Sequence, residues 1–269
     1  MIGIMQGRLT PMVAGKIQSF PEKFWKAEFF IAQALGFTSI EWTLDRENIL
    51  QNPFFTAPKE INHLIAMTDV LVPSLTYDAA MQKPLVLKGV IVNDEVELLF
   101  KVLTQAKKMG LGLLVLPLVD QSSVDDCDYP LYVDLLKEMS ERCLSEGLKI
   151  AVESDFPPPK LEMFMRDVGS SFVGVNYDIG NSSSLGFDFN EEMALIGPDI
   201  LNIHVKDRPL NGATCAFGRG TPGLEDKLSY LSKFFLARNM IIQGARSRTG
   251  DDIGVAVDYL NFVKKAIAQ

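Results

Sequence analysis

The chain of 269 residues is poor in the groups that carry sulfur and imidazole chemistry. Its three cysteines, Cys127, Cys143 and Cys215, are widely spaced and form no CxxC pair. That removes zinc-ribbon and thioredoxin-like readings, and an odd, sparse count fits a reducing compartment. Only two histidines occur, His63 and His204. Positive charge is also in deficit, because 26 Lys and Arg against 34 Asp and Glu leave a formal net charge of -8. Such a surface repels nucleic acid phosphates. No GxGxxG follows the first apolar run, which argues against a dinucleotide fold. Long apolar runs are missing too. The opening "MIGIMQGRLTP" lacks a signal-peptide core, and the longest apolar segment, "LGLLVLPLV", is far short of a membrane span. The expectation is a soluble cytoplasmic protein with neither a nucleic acid nor a membrane partner.

What the chain does contain is a series of short apolar runs. They are "IGIM" (2–5), "TSIEW" (38–42), "VLVPSL" (70–75), "GLLVLPL" (112–118), "KIAVES" (149–154), "FVGVNYD" (172–178), "ILNIHVK" (200–206) and "MIIQG" (240–244). Continuous apolar runs suit strands covered on both faces of a parallel sheet. The segments between them look helical. In "PEKFWKAEFFIAQALGF" the residues Phe24, Ala27, Phe30, Ile31 and Ala34 make a helical stripe. "NDEVELLFKVLTQAKKMGL" opens on an Asn or Asp cap and closes on Gly110 behind lysines. Similar patterns follow "YPLYV", "PGLED" and "DDIGV". Eight strand–helix units average about 34 residues each, the usual unit of a (β/α)8 TIM barrel. No linker or charge block divides the chain, so residues 1–269 read as one α/β barrel domain.

In such barrels chemistry sits at the C-terminal strand ends. Those ends offer Gln6 and Arg8, Glu41, Ser74 and Asp78, Asp120, Glu153, Asp178, His204 with Lys206, and Gln243 with Arg246. The set is rich in oxygen donors and has one imidazole, which suits a divalent metal ion such as Mn²⁺, Mg²⁺ or Zn²⁺. Such an ion would polarise a carbonyl or enediolate oxygen, and a neighbouring carboxylate would move a proton on the adjacent carbon. Lys206 shares the strand parity of His204 and so faces the same mouth. Gln6, Arg8, Ser74 and Arg246 are candidate substrate contacts, the two arginines as anion clamps. Glu41 is either a site residue or the partner of an arginine in the lower rim. The "GRGTPG" loop offers backbone amides to a phosphate, and Lys206 with Asp207 reads alternatively as an exposed ion pair. His63 reads as structural.

The tracts "GIMQGRLTP", "VESDF", "VNYDIGNSSSLG", "NIHVKDR" and "GRGTPG" resemble the xylose isomerase-like TIM barrel superfamily over nearly the whole chain. Within it the chain looks most like sugar-phosphate isomerases and epimerases, such as L-ribulose-5-phosphate 3-epimerases and hexulose-6-phosphate isomerases. The resemblance implies one divalent metal held by Glu, Asp, His and Glu from strands five to eight. Glu153, Asp178 and His204 fit the first three places, and Gln243 stands where glutamate belongs. In the epimerases both glutamates also serve as acid and base. Glu153 keeps that role, whereas an amide cannot accept a proton near neutral pH. The implied function is metal-dependent isomerisation or epimerisation of a ketose or ketose phosphate through an enediolate, with Glu153 as base and Lys206 as a second candidate catalytic group. The partner is then a small sugar or sugar phosphate, and a homodimer is the default assembly. Two other readings compete. One is a non-enzymatic sugar-binding or regulatory barrel with a degenerate metal site. The other is an abasic-site endonuclease, which needs a histidine-rich three-zinc site that two histidines do not supply.

Overall fold

The computed structural model describes residues 1–143, 147–234 and 239–268. The readings that run through 144–146, 235–238 and residue 269 lie outside the described residues. Eight parallel strands close into a barrel: β1 (Ile2–Met5), β2 (Ser39–Thr43), β3 (Ser74–Thr76), β4 (Leu113–Leu118), β5 (Lys149–Ser154), β6 (Val173–Asp178), β7 (Ile200–Val205) and β8 (Asn239–Ile242). They follow chain order round the ring, with β1 pairing both β2 and β8. The third run shortens to 74–76. Val70 and Val72 are buried in the core but lie ahead of Pro73, which has no N–H for a ladder.

The large apolar core fills the space between barrel and helices, with Trp42, Leu44, Leu75, Leu114, Leu116 and Ile203 among its buried members. Among the described residues, no helix is long and apolar enough to cross a membrane. The first helix, Trp25–Leu35, corrects the stripe read from the sequence. Its buried face is Trp25, Glu28, Phe29 and Ala32, while Phe24 and Phe30 are exposed. A charged residue hid that face. Glu28 is buried because its carboxylate accepts the N–H groups of Gly7 (2.9 and 3.0 Å) and Leu9 (3.2 Å). It thereby anchors the loop after β1, where Gly7 takes a positive φ of 85° that favours glycine. The helix Asn93–Lys108 also begins differently. Val92 is its N-cap residue, without a side-chain cap, and Asn93 is already helical.

Burial pushes the Glu28 carboxyl up to about 7, against the pull of the Gly7 and Leu9 amides. A folded-state value above the unfolded one gives stability that is full below about 4.5 and lost as pH rises through 7. Glu28→Gln should therefore flatten the fall in thermal stability between pH 5 and 7.5, measured by scanning calorimetry. An unchanged pH profile would count against this anchor.

One irregularity sets the register that matters most. Between Val175 and Asn176 the pairing of β6 with β7 shifts, so Val175 faces Ile200 but Asn176 faces Asn202. Leu201 is thereby skipped, and Asp178 comes level with His204. Bulges near barrel rims re-aim side chains in this way.

Candidate metal centre

The upper interior of the barrel is polar because alternate residues of neighbouring strands point inward. Donor atoms of Glu153, Asp178 and His204 lie within 4.8 Å of one another, and all three residues are buried. Glu153 sits near the end of β5, with its carboxylate fixed at both oxygens. Asn176 Nδ2 donates to Oε2 (2.8 Å) and Asn181 Nδ2 to Oε1 (2.7 Å). Asp178 closes β6 and does two things at once. Its Oδ1 accepts the Asn181 N–H (2.8 Å) as the cap of a short helix, Ile179–Leu185, and its Oδ2 lies 2.6 Å from Lys206 Nζ. The "DIGNSSS" tract is thus a helix start. Gly180 is needed there, since a Cβ would come within 2.9 Å of the Lys206 side chain.

His204 is held on both nitrogens. Nε2 lies 2.6 Å from Glu41 Oε1, and Nδ1 faces Glu153 Oε2 at 3.3 Å and Asn176 Nδ2 at 3.1 Å. Glu41 is fully buried and also accepts Ser74 Oγ (2.7 Å), Thr76 Oγ1 (2.7 Å) and Asn202 Nδ2 (3.0 Å). The partner of Glu41 is thus a histidine, which the sequence reading did not foresee, and not an arginine of the lower rim. Burial opposes charge on both groups, but mutual attraction wins. The imidazole is pushed up to about 10 and the Glu41 carboxyl lies below its ordinary range. A carboxylate behind a histidine fixes the ring so that its other nitrogen faces a metal.

Gln243 continues β8 and is buried. Its Nε2 donates to Gln18 Oε1 (2.8 Å), and its Oε1 has no hydrogen-bond partner. Such an orphaned buried oxygen is costly unless a cation or water meets it. Glu153, Gln243, Lys206, Arg8, Asp78 and Arg208 share one cavity of about 690 Å³ at the barrel mouth.

The other sequence candidates fall elsewhere. Ser74 belongs to the Glu41 network below the cavity. Gln6 is buried and accepts the Thr43 N–H (3.1 Å). Arg8 reaches the cavity but also donates to the Gly244 carbonyl (2.9 Å) and to Gln18 (3.1 Å). Arg246 does not line the cavity. Its guanidinium donates to the Thr10 carbonyl (2.8 Å), the Gly7 carbonyl and Asp252 (2.9 Å), clasping the loop after β1. The amides of the "GRGTPG" loop already hold an anion. Asp207, fully buried and not part of an exposed pair, accepts Arg219 N (3.0 Å), Gly220 N (3.2 Å) and Thr221 N. His63 is exposed on the helix Pro58–Thr68. Sequence reasoning missed Asn176, Asn181 and Gln18. Asn176 carried a usable signal, since it shares the parity of Asp178 on β6.

The family profile described as xylose isomerase-like TIM barrel matches residues 29–236. Comparison with curated protein sequences finds no match. Among solved structures, D-psicose 3-epimerase in the presence of D-fructose superposes with a TM-score of 0.75 at 15% identity, covering 100% of this chain and 99% of that one. A structure described as IOLI protein with a binding zinc atom gives 0.74 at 15% identity, covering 100% and 99%. The 3-keto-D-glucoside 4-epimerase YcjR from E. coli gives 0.71 at 15% identity, covering 98% of each chain. At such identities the superpositions establish the fold, and with the profile match over most of its length the chain belongs to the xylose isomerase-like TIM barrel family.

Proposed function

We propose that this protein is a metal-dependent isomerase or epimerase of a ketose or ketose phosphate. The observation that carries the reading is the convergence of Glu153, Asp178 and His204 donor atoms within 4.8 Å beside a large mouth cavity. Two carboxylates, an imidazole and the orphaned amide oxygen of Gln243 suit a hard or borderline divalent cation. Such an ion would supply Lewis-acid polarisation of a carbonyl and its neighbouring hydroxyl. Glu153, locked by Asn176 and Asn181, removes the proton next to the carbonyl. The Lys206 ammonium offsets negative charge that develops on the substrate oxygens. The zinc-bound and epimerase relatives support the reading by analogy of fold.

A non-enzymatic sugar-binding barrel is the second reading, favoured by the amide at Gln243. Metal analysis separates them. The enzyme reading expects near-stoichiometric Mn²⁺, Mg²⁺ or Zn²⁺ after loading, turnover on a ketose and ketose phosphate panel, and a loss of about a thousandfold on Glu153→Gln. Absence of bound metal together with absence of turnover sinks it. Gln243→Glu adds a negative charge to the donor set and should tighten Mn²⁺ binding by about tenfold or more, read by titration calorimetry.

A further inference from the structure

Inversion at a carbon needs a proton acceptor on one face and a proton donor on the other, and the amide of Gln243 serves as neither near neutral pH. Asp78 follows β3, two strands round the ring from Glu153, and lines the same cavity. Its Oδ2 is fixed by Thr43 Oγ1 (2.6 Å) and Gln18 Nε2 (2.7 Å). Its Oδ1 is buried and has no hydrogen-bond partner. A bare buried carboxylate oxygen is costly unless it carries a proton or meets a ligand. The same Gln18 accepts from Gln243 Nε2, so a two-bond bridge ties Asp78 to the position where strand eight lacks its carboxylate.

We propose that Asp78 is the second proton-transfer residue of this site, acting on the substrate carbon from a different side of the mouth than Glu153. The inference rests on the isomerase or epimerase reading and adds a residue to it. Glu153 takes the proton next to the carbonyl, the C–H bond breaks, and its electron pair forms the enediolate. Protonated Asp78 then delivers its proton to the same carbon, a new C–H bond forms, and the carbonyl returns. One proton has moved from Asp78 to the product and one from the substrate to Glu153. Exchange of a proton with water at each carboxyl restores the starting state, so no oxidant or further reactant is needed.

The chemistry of the surroundings agrees. Burial pushes the Asp78 carboxyl up to about 7, helped by Asp45 and Glu153 and opposed by the hydrogen bonds from Thr43 and Gln18. Arg8, Lys206 and Arg208 are the cations facing the same cavity. A group with both forms populated near neutral pH is suited to give and take a proton.

The test follows proton exchange and inversion separately, by proton NMR in D₂O with the Mn²⁺-loaded protein and D-fructose, D-ribulose and D-ribulose 5-phosphate. Wild type should exchange the proton next to the carbonyl and form the inverted sugar. Asp78→Asn should keep exchange within about tenfold but lose inverted product by about a hundredfold. Glu153→Gln should lose both. If Asp78→Asn leaves the ratio of exchange to inversion unchanged, whether both persist or both fall, Asp78 has only a structural role and the proposal is overturned. If wild type exchanges no proton on any of these sugars, the isomerase reading falls and this proposal falls with it.

Discussion

Glu41→Gln should destabilise the metal-free protein by about 3–5 kcal/mol, the usual cost of breaking one side of a buried ion pair. The same change should weaken Mn²⁺ binding by about 10–100-fold, as expected when the carboxylate behind a metal-facing histidine is lost. Four donors converge on this one side chain: Ser74, Thr76, Asn202 and His204. An ionised carboxylate accepts all four, whereas an amide has one acceptor oxygen and turns its NH₂ group against the remaining donors. His204 would also lose the partner that holds its charge in a fully buried place. Urea unfolding of the metal-free variant measures the first effect, and a Mn²⁺ titration measures the second. A midpoint equal to wild type would mean that the polar layer is not part of what holds the barrel together.

Much of this was legible in the sequence, for a physical reason. Strands buried on both faces read as continuous apolar runs, and "IGIM" and "KIAVES" match β1 and β5 residue for residue. A barrel directs its strand ends to one mouth, so Glu153, Asp178 and His204 could be named together before any geometry was known. What escaped notice depends on contacts distant in sequence. Glu41 and His204 are 163 positions apart, and nothing local to either says that they pair. Glu28 is absent from the helical stripe read in the sequence because the donors that bury its carboxylate, the amides of Gly7 and Leu9, belong to another segment. The "GRGTPG" amides looked free because the anion that fills them, Asp207, lies upstream of the loop.

These misses share a cause. Each is a buried polar group satisfied by a remote partner, and burial is the property a charged residue conceals in sequence. The consequence for function is specific. The anion sites that a sequence reading assigns to substrate, at Arg246 and the glycine-rich loop, are used by the protein to hold its own loops in place. Glu153, Asp78, Lys206 and Gln243, in contrast, face the mouth cavity.

Proton and metal should compete openly for this site. In the metal-free protein burial opposes the imidazolium of His204, but Glu41 and Glu153 outweigh it and push the group up to about 10. The folded value exceeds the unfolded one of about 6.5, so this contribution to stability is full below 6.5 and is lost as pH rises towards 10. The metal-free protein should therefore melt at progressively lower temperature across that window. A coordinating histidine must be neutral, so loading expels the proton, and apparent affinity should climb by about tenfold for each pH unit between 6 and 8.5. Loaded protein should then gain stability over the range in which metal-free protein loses it, at fixed metal concentration. Paired thermal melts with Mn²⁺ and with a chelator, at half-unit pH steps, read both slopes. Parallel curves would show that His204 carries no proton for the metal to displace, and that Glu41 and Glu153 hold a neutral ring.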